Sequence, residues 1–322
     1  MKKTIALILA LTLSLFAFVS CAGTDADTSP LKVGYLAGPT GMGRAKLIND
    51  TPEDSAQYEF AAYTDPNLAT PDLLSGTIDM ACLPTNAAAN LFNKGKDISV
   101  LAVNTLGSLF VIADKTANIE TISDLEGKTI HLSVPGSTTE PILKYILEQN
   151  NIKAEVLIDS ATHDDLVAKV KASEGSVIAV LPEPKVSATL AQAKNYEVKL
   201  NLSKEWDKIS DEPLAMGCIV VRNDVLENKK NAIKAFLSDY KNSVQYIANA
   251  ENKANAAQIM VDLGIIPKLP IATSALTNLD GAIVLITGQE MTQTLKKFYD
   301  VLLDSSPASI GEKQPADSFY YE

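Results

Sequence analysis

The sequence predicts an α/β protein made of two units, each a mainly parallel sheet flanked by helices. Three observations carry this. From residue 30 onward, short apolar runs alternate with stretches of helical period, and strands that alternate with helices build parallel sheets covered on both faces. The alternation restarts at "SLFVIADK", residues 108–115. The chain has 322 residues, a length that favours two domains.

The elements follow in order. "LKVGYLA" (31–37) reads as the first strand, and a helix follows near 42–49. "QYEFAAY" is a strand. "TPDLLSG" is a short helix with Pro71 in its first turn, where a missing N–H costs little. "TIDMACLP" is a strand, and "TNAAANLFNKG" a helix capped by Thr85 or Asn86 and stopped at Gly95. "ISVLAVNT" closes the first set. In the second, "TISDLEGKTIHLSVPGSTTEPILKYILEQNNI" (121–152) reads as one helical turn, a strand, a Gly loop and a longer helix. "AEVLID", "THDDLVAKVKASEG", "SVIAVLP" and "EPKVSATLAQAK" continue the alternation, with Thr162 and Asp165 as an acidic capping box. "YEVKLNLS" and the apolar strand "EPLAMGCIVVRND" come next, and from about 223 the pattern is mainly helical. The tail "SPASIGEKQPADSFYYE" has neither period, and Tyr320 and Tyr321 are expected to pack it down.

The amino terminus specifies where the chain works. "MKK" is basic, "TIALILALTLSLFAFV" is uncharged and apolar, and a small residue precedes Cys21. This is the pattern of an export signal, and the run is too short to span a bilayer comfortably. Ser20–Cys21 resembles the lipobox of bacterial lipoproteins, in which the thiol carries a diacylglycerol; an ordinary signal peptide is the alternative. The resemblance implies a signal over 1–20, lipidation at Cys21 and a polar, lipid-anchored tether over 21–30. Without Lys2 and Lys3 the chain holds 26 basic against 39 acidic residues, a net charge near −13. Such a surface repels nucleic acid and anionic lipid. Cys82 and Cys218 lie in apolar runs, as two buried free thiols or as a disulfide of an exported protein. No Cys/His cluster has metal-ligand spacing, and no cofactor motif stands out.

"GPTGMGRA" (38–45) has the glycine spacing of a phosphate-binding loop but Arg44 and Ala45 where Lys and Ser or Thr belong. What remains is a glycine-rich helix start, with backbone N–H groups open to close approach. Ligands of open α/β sheets sit beyond the carboxyl ends of strands, at helix N-termini. Four such points carry polar residues: Thr40, Gly41, Met42 and Gly43; Thr85 and Asn86; Ser137, Thr138 and Thr139; and Glu183. Each is either a ligand contact or a simple cap, as in the box Ser137–Glu140. Met42 would add adaptable apolar contact. Gly107 and Ser108 are further candidates, and Arg44 either adds charge or points to solvent. His131, His163, Asp79 and Asp124 read as fold residues, and there is no G-x-S-x-G elbow.

The segments "LLSGTIDMACLPTNAA", "TISDLEGKTIHLSVPGSTTEPILKYILEQNNI", "VIAVLPEPKVSATL" and "SFYY" together resemble bacterial solute-binding proteins of the nitrate/sulfonate/taurine type, which serve ABC importers. The resemblance covers about residues 31–321. It implies a type II periplasmic-binding-protein-like fold with two lobes and two hinge crossovers, near "SLFVIADK" and "EPLAMGC". Lobe 1 would comprise 31–112 plus 213–322 and lobe 2 113–212, with Cys82 and Cys218 neighbours in one sheet. It implies a monomer that traps a small-molecule solute by hinge closure and presents it to a membrane permease. The solute would be an anion such as a sulfonate or nitrate. Glu183, facing the cleft, would instead suit an amine or ring N–H, as in a thiamine-precursor-like pyrimidine. Alternatives are a same-fold enzyme of pyrimidine or menaquinone synthesis, which export argues against, and a ligand-sensing receptor.

Overall fold

The computed structural model describes residues 25–63, 66–135 and 137–322. The export signal and Cys21 lie outside the described residues. Eleven strands form two sheets among the described residues. Sheet 1 has the order β11-β4-β10-β3-β1-β2 and sheet 2 the order β7-β6-β8-β5-β9.

Sheet 1 contains β1 (Leu31–Leu36), β2 (Tyr58–Tyr63), β3 (Met80–Pro84), β4 (Ile98–Leu106), β10 (Ala215–Arg222) and β11 (Ile283–Ile286). Sheet 2 contains β5 (Leu109–Asp114), β6 (Thr129–Ser133), β7 (Glu155–Ser160), β8 (Ile178–Pro182) and β9 (Tyr196–Asn201). Helices fill the intervals: α1 (Pro39–Met42), α2 (Ala45–Asp50), α3 (Pro66–Ser75), α4 (Thr85–Asn93), α5 (Thr139–Gln149), α6 (His163–Ala172), α7 (Lys185–Gln192) and α8 (Leu202–Trp206). The carboxyl-terminal part adds α9 (Asn223–Asn228), α10 (Lys230–Ala248), α11 (Lys253–Asp262), α12 (Leu269–Asn278) and α13 (Gly288–Ser305).

Both sheets are mixed, which refines the expectation of mainly parallel pairing. β10 runs antiparallel to β3 and β4, β11 to β4, and β5 to β8 and β9. The cause is connectivity. β4 leaves sheet 1 at its carboxyl end, and only Gly107 and Ser108 separate it from β5. The chain therefore enters sheet 2 from the end where β6 and β8 finish, and β5 must oppose them. β10 returns in the same way after α8. β5 lies wholly in sheet 2, so the first crossover falls at 107–108, a few residues before the expected boundary at 112.

Side chains alternate across each strand, and the cores follow that period. On β10, Cys218 and Val220 enter the core shared by both sheets, whereas Ile219 and Val221 enter a second core under α10, α11 and α12. A third core, with Leu166, Val170 and Val186, packs α6 and α7 on the outer face of sheet 2. Each fully buried Val, Leu or Ile contributes roughly 1.5–3 kcal/mol over its exposed state.

Three local expectations change. The helix placed near 42–49 divides into α1 and α2, with Gly43 and Arg44 between them. α3 begins at Pro66, so Pro71 lies inside it; buried Ala69 and Leu73, four apart on one face, extend the helix backward. Ser137 does not cap α5. The helix begins at Thr139, Ser137 is one residue too early and donates its N–H to Val134 O at 3.0 Å, and Glu140 pairs with Lys144. The Thr162–Asp165 box does form. The tail docks as expected: Tyr320 is buried, bridges β4 at Val100, and Tyr321 N–H donates to Val100 O at 3.0 Å.

Candidate functional site

The two crossovers press the units together at their carboxyl ends. A Cβ on Gly107 would lie 2.0 Å from Ser203 Oγ and 3.1 Å from Leu214, a residue of the return crossover. Only glycine lets the two crossing segments approach this closely. Gly107 is therefore a packing residue of the crossover. Ser108 is buried, and its carbonyl accepts from the Glu183 N–H at 3.0 Å.

The loop after β1 is built from glycines of different use. Gly38 has φ 113°, which L side chains rarely adopt, and a Cβ there would sit 3.8 Å from Pro184 of sheet 2's unit. A Cβ on Gly41 would fall 2.0 Å from Leu36 O, and one on Gly43 2.4 Å from the Tyr240 hydroxyl. Gly41 and Gly43 thus let the loop pack closely within sheet 1's unit. Met42 is fully buried in the core under α10, so its side chain is no cleft contact. Thr40 remains half-buried at the edge. Its carbonyl accepts from Asn104 Nδ2 at 3.0 Å, and Gly217 leaves room for its methyl group.

Arg44 neither reaches solvent nor extends toward a ligand. It is fully buried and turns back under the sheet. Nη1 donates to Gly34 O at 2.9 Å, Nη2 donates to Cys82 Sγ, and the guanidinium lies 5.7 Å from the ring centroids of Tyr35 and Tyr240. Among the described residues no carboxylate pairs with it, and Nε lacks a partner. Aromatic faces and the sulfur stabilise the charge instead. Asn104 Nδ2 also approaches Cys82 Sγ (3.1 Å) and Tyr240 Oη (3.2 Å), so one buried polar cluster supports the loop from below.

Cys82 and Cys218 are both buried and free. They are neighbours in sheet 1, as the resemblance implied, but Cys82 pairs with Ile219, which puts Cys218 on the opposite face. Their Cβ atoms point apart, a geometry no disulfide spans. Burial pushes both thiols above their usual value.

Thr85 is buried and donates to Ala215 O at 2.8 Å, so it locks α4 to β10; Pro84 occupies the cap position. Asn86 lines an open cavity of about 620 Å³ with Pro71, Asn90, Leu91 and Ser309. All its lining residues lie in sheet 1's unit, so Asn86 is not brought to the other candidates. Thr138 and Thr139 are buried at the start of α5, just after Val134. Val134 has φ 59°, a strained conformation for a β-branched residue, of order 1–3 kcal/mol, and such strain clusters at ligand sites.

Glu183 is one of the points where the units meet. It is 1% exposed and follows β8. Its carboxylate accepts from Ser187 N–H (3.2 Å), Ser187 Oγ (2.9 Å) and Asn278 Nδ2 (2.5 Å). Asn278 ends α12 of sheet 1's unit, so this bond crosses between the units. Burial raises the Glu183 pKa, and the bonds from Asn278 and Ser187 offset part of the rise. Asn278, Asn104 and Ser187 carried no sequence motif.

The remaining titratable candidates are structural. Asp79 accepts from Lys32 N–H and Lys229 Nζ (3.0 and 2.9 Å), Asp124 closes a capping box with Thr121, His131 pairs with Asp159 (2.8 Å) and His163 with Ser133 Oγ (2.8 Å). Among the described residues, no group of three His, Cys, Asp or Glu side chains could hold a metal ion, and no helix is long and apolar enough to cross a membrane.

Known structures share this architecture. An ABC transporter protein from Parabacteroides distasonis superposes with TM-score 0.78 at 20% identity, over 92% of this chain and 99% of that one. The periplasmic aliphatic sulphonate binding protein SsuA from Escherichia coli gives 0.72 at 15%, over 92% and 93%. The periplasmic nitrate-binding protein NrtA from Synechocystis PCC 6803 gives 0.63 at 15%, over 88% and 84%. At these identities the likeness is one of fold. No curated protein matches the sequence. The sequence pattern of one family, described as NMT1/THI5 like, matches residues 57–254, most of both sheets. With that match and this two-sheet architecture, the chain belongs to the NMT1/THI5-like family.

Proposed function

We propose that the protein is the extracytoplasmic solute-binding component of an ABC import system, exported and lipid-anchored at Cys21. It works as a monomer with a membrane permease and carries out no catalysis. The lobes are sheet 1 with its helices (31–106 plus 215–322) and sheet 2 with its helices (109–206), joined at 107–108 and 207–214. A small solute binds between the carboxyl ends of the sheets and stabilises the closed form, which the permease recognises.

The observation that carries this reading is the Glu183–Asn278 bond, a part-buried polar contact that joins the two units at that place. Thr40 and Ser108 on one side and Ser137, Thr138, Thr139 and Glu183 on the other are the polar residues offered to the solute. Sulphonate and nitrate are what the SsuA and NrtA relatives are named for. A buried carboxyl acceptor with no cation paired to it among the described residues suits a solute with an N–H group, as in a thiamine-precursor-like pyrimidine.

The test is native mass spectrometry of the chain purified without residues 1–20. A small molecule released on denaturation is the expected result. Thr40→Ala and Thr138→Ala should each weaken affinity for it; if neither does, the cleft assignment fails. Chemical turnover of the bound compound would make the protein a same-fold enzyme. Solute-dependent binding to a membrane sensor rather than a permease would make it a signalling receptor.

A further inference from the structure

Residues 25–30, the described part of the segment read as a tether, are docked. Asp25 accepts from the N–H groups of Asn231 (2.8 Å) and Ala232 (3.0 Å), in the first turn of α10. α10 has no side-chain cap of its own, because Lys229 stands at that position. Asp25 supplies one from the other end of the chain, where the helix dipole favours a carboxylate. Asp27 N–H donates to Asn228 O at 3.1 Å. The buried Lys229 ammonium donates to Ser29 Oγ (2.8 Å), Pro30 O (3.1 Å) and Asp79 (2.9 Å). Residues 25–30 are thus bonded to α9 and α10 before β1 begins at Leu31.

We infer that this strap fixes which face of the protein lies against the membrane: the pole formed by the amino ends of β1 and β2, α9 and the start of α10. The inference rests on the reading of Cys21 as the lipid anchor. Only residues 22–24 separate Cys21 from Asp25. Four Cα steps at ~3.3–3.6 Å reach at most about 14 Å. The ten residues of a free tether would reach about 35 Å and leave the orientation unspecified. The strap lies at the amino end of β1, whereas the solute cleft lies beyond its carboxyl end. A six-residue strand is about 20 Å long. With the strap docked, the bilayer headgroups meet the amino pole, and the cleft is held roughly one strand length beyond the strap. The exposed residues there are of mixed sign, Asp224, Glu227 and Lys230 among them, so the anchor and not lipid charge sets the contact.

The experiment uses the chain from residue 21 onward, coupled through Cys21 to a maleimide phospholipid in phosphatidylcholine vesicles whose headgroups carry an energy-transfer acceptor. A fluorescent amino acid replaces either exposed Glu227, at the pole, or exposed Lys153, before β7 of sheet 2. Transfer is expected to be several-fold stronger from position 227 than from 153. Asp25→Ala with Asp27→Ala should bring the two values together and speed amide exchange at Asn231 and Ala232. Equal transfer from both positions in the unaltered strap overturns the inference. The chemical coupling makes this outcome independent of cellular lipidation. That is read separately, as palmitate incorporation lost in Cys21→Ala, and its absence would overturn the anchor and leave the strap geometry standing.

Discussion

Asn278→Ala removes the bond that joins the two units at Glu183 and little else. Asn278 is half-buried, and its amide donates to a carboxylate that is 1% exposed. Hydrogen bonds to charged groups are worth about 1.5–3 kcal/mol. Half-burial of the donor places this one at the lower end, about 1.5 kcal/mol, and 1.4 kcal/mol is about tenfold in an equilibrium. Glu183 keeps both bonds from Ser187, so the loss falls on closure and not on the fold of either unit. The closed-to-open ratio of the ligand-free protein should drop about tenfold. The chain supplies its own reporter. Trp206 is its single tryptophan. It lies 5.3 Å from the Tyr145 ring on α5 and 5.9 Å from the Phe298 ring on α13, next to the return crossover. Opening should alter Trp206 emission and increase the radius of gyration in X-ray scattering, and solute should reverse both. If Asn278→Ala matches the unaltered protein in both measurements, the bond does not hold the units closed and the reasoning fails.

Further predictions concern the same neighbourhood. Burial raises the Glu183 carboxyl above its ordinary 4.5, so between that value and the raised one the folded chain binds more protons than the unfolded chain. Stability from this group is therefore full below about pH 4.5 and declines as pH rises through the folded value; denaturant titrations of Glu183→Gln should lack that decline. Gly43→Ala puts a methyl group 2.4 Å from the Tyr240 hydroxyl and should lower stability by about 1–3 kcal/mol in a thermal melt; Tyr240→Phe should restore part of the loss, and no restoration would mean the strain lies elsewhere. Oxidation of the folded protein should not join Cys82 to Cys218, because they face opposite sides of sheet 1. An intact mass two hydrogens lighter after mild oxidant would contradict this.

The sequence by itself determined the elements and their grouping. Apolar runs of strand length, separated by helical periods and closed by residues such as Gly95, are local signals, and local backbone preference acts on them the same way in any fold. The two-unit plan was legible for the same reason. The sequence also marked "GPTGMGRA" as a place of close approach, but not what approaches. That is Leu36 O at Gly41 and Tyr240 at Gly43, and the latter is 197 residues away in the chain. Tertiary structure alone decided that Arg44 turns inward, that Met42 and Thr85 belong to the interior, and that Asn278 meets Glu183 from 95 residues away. It also decided that Asp25 caps a helix beginning more than 200 residues later. The physical reason is common to all of these. A side chain's partner is set by which surfaces the packed sheets and crossovers bring together, and burial and hydrogen bonding act on that proximity, whatever the distance along the chain.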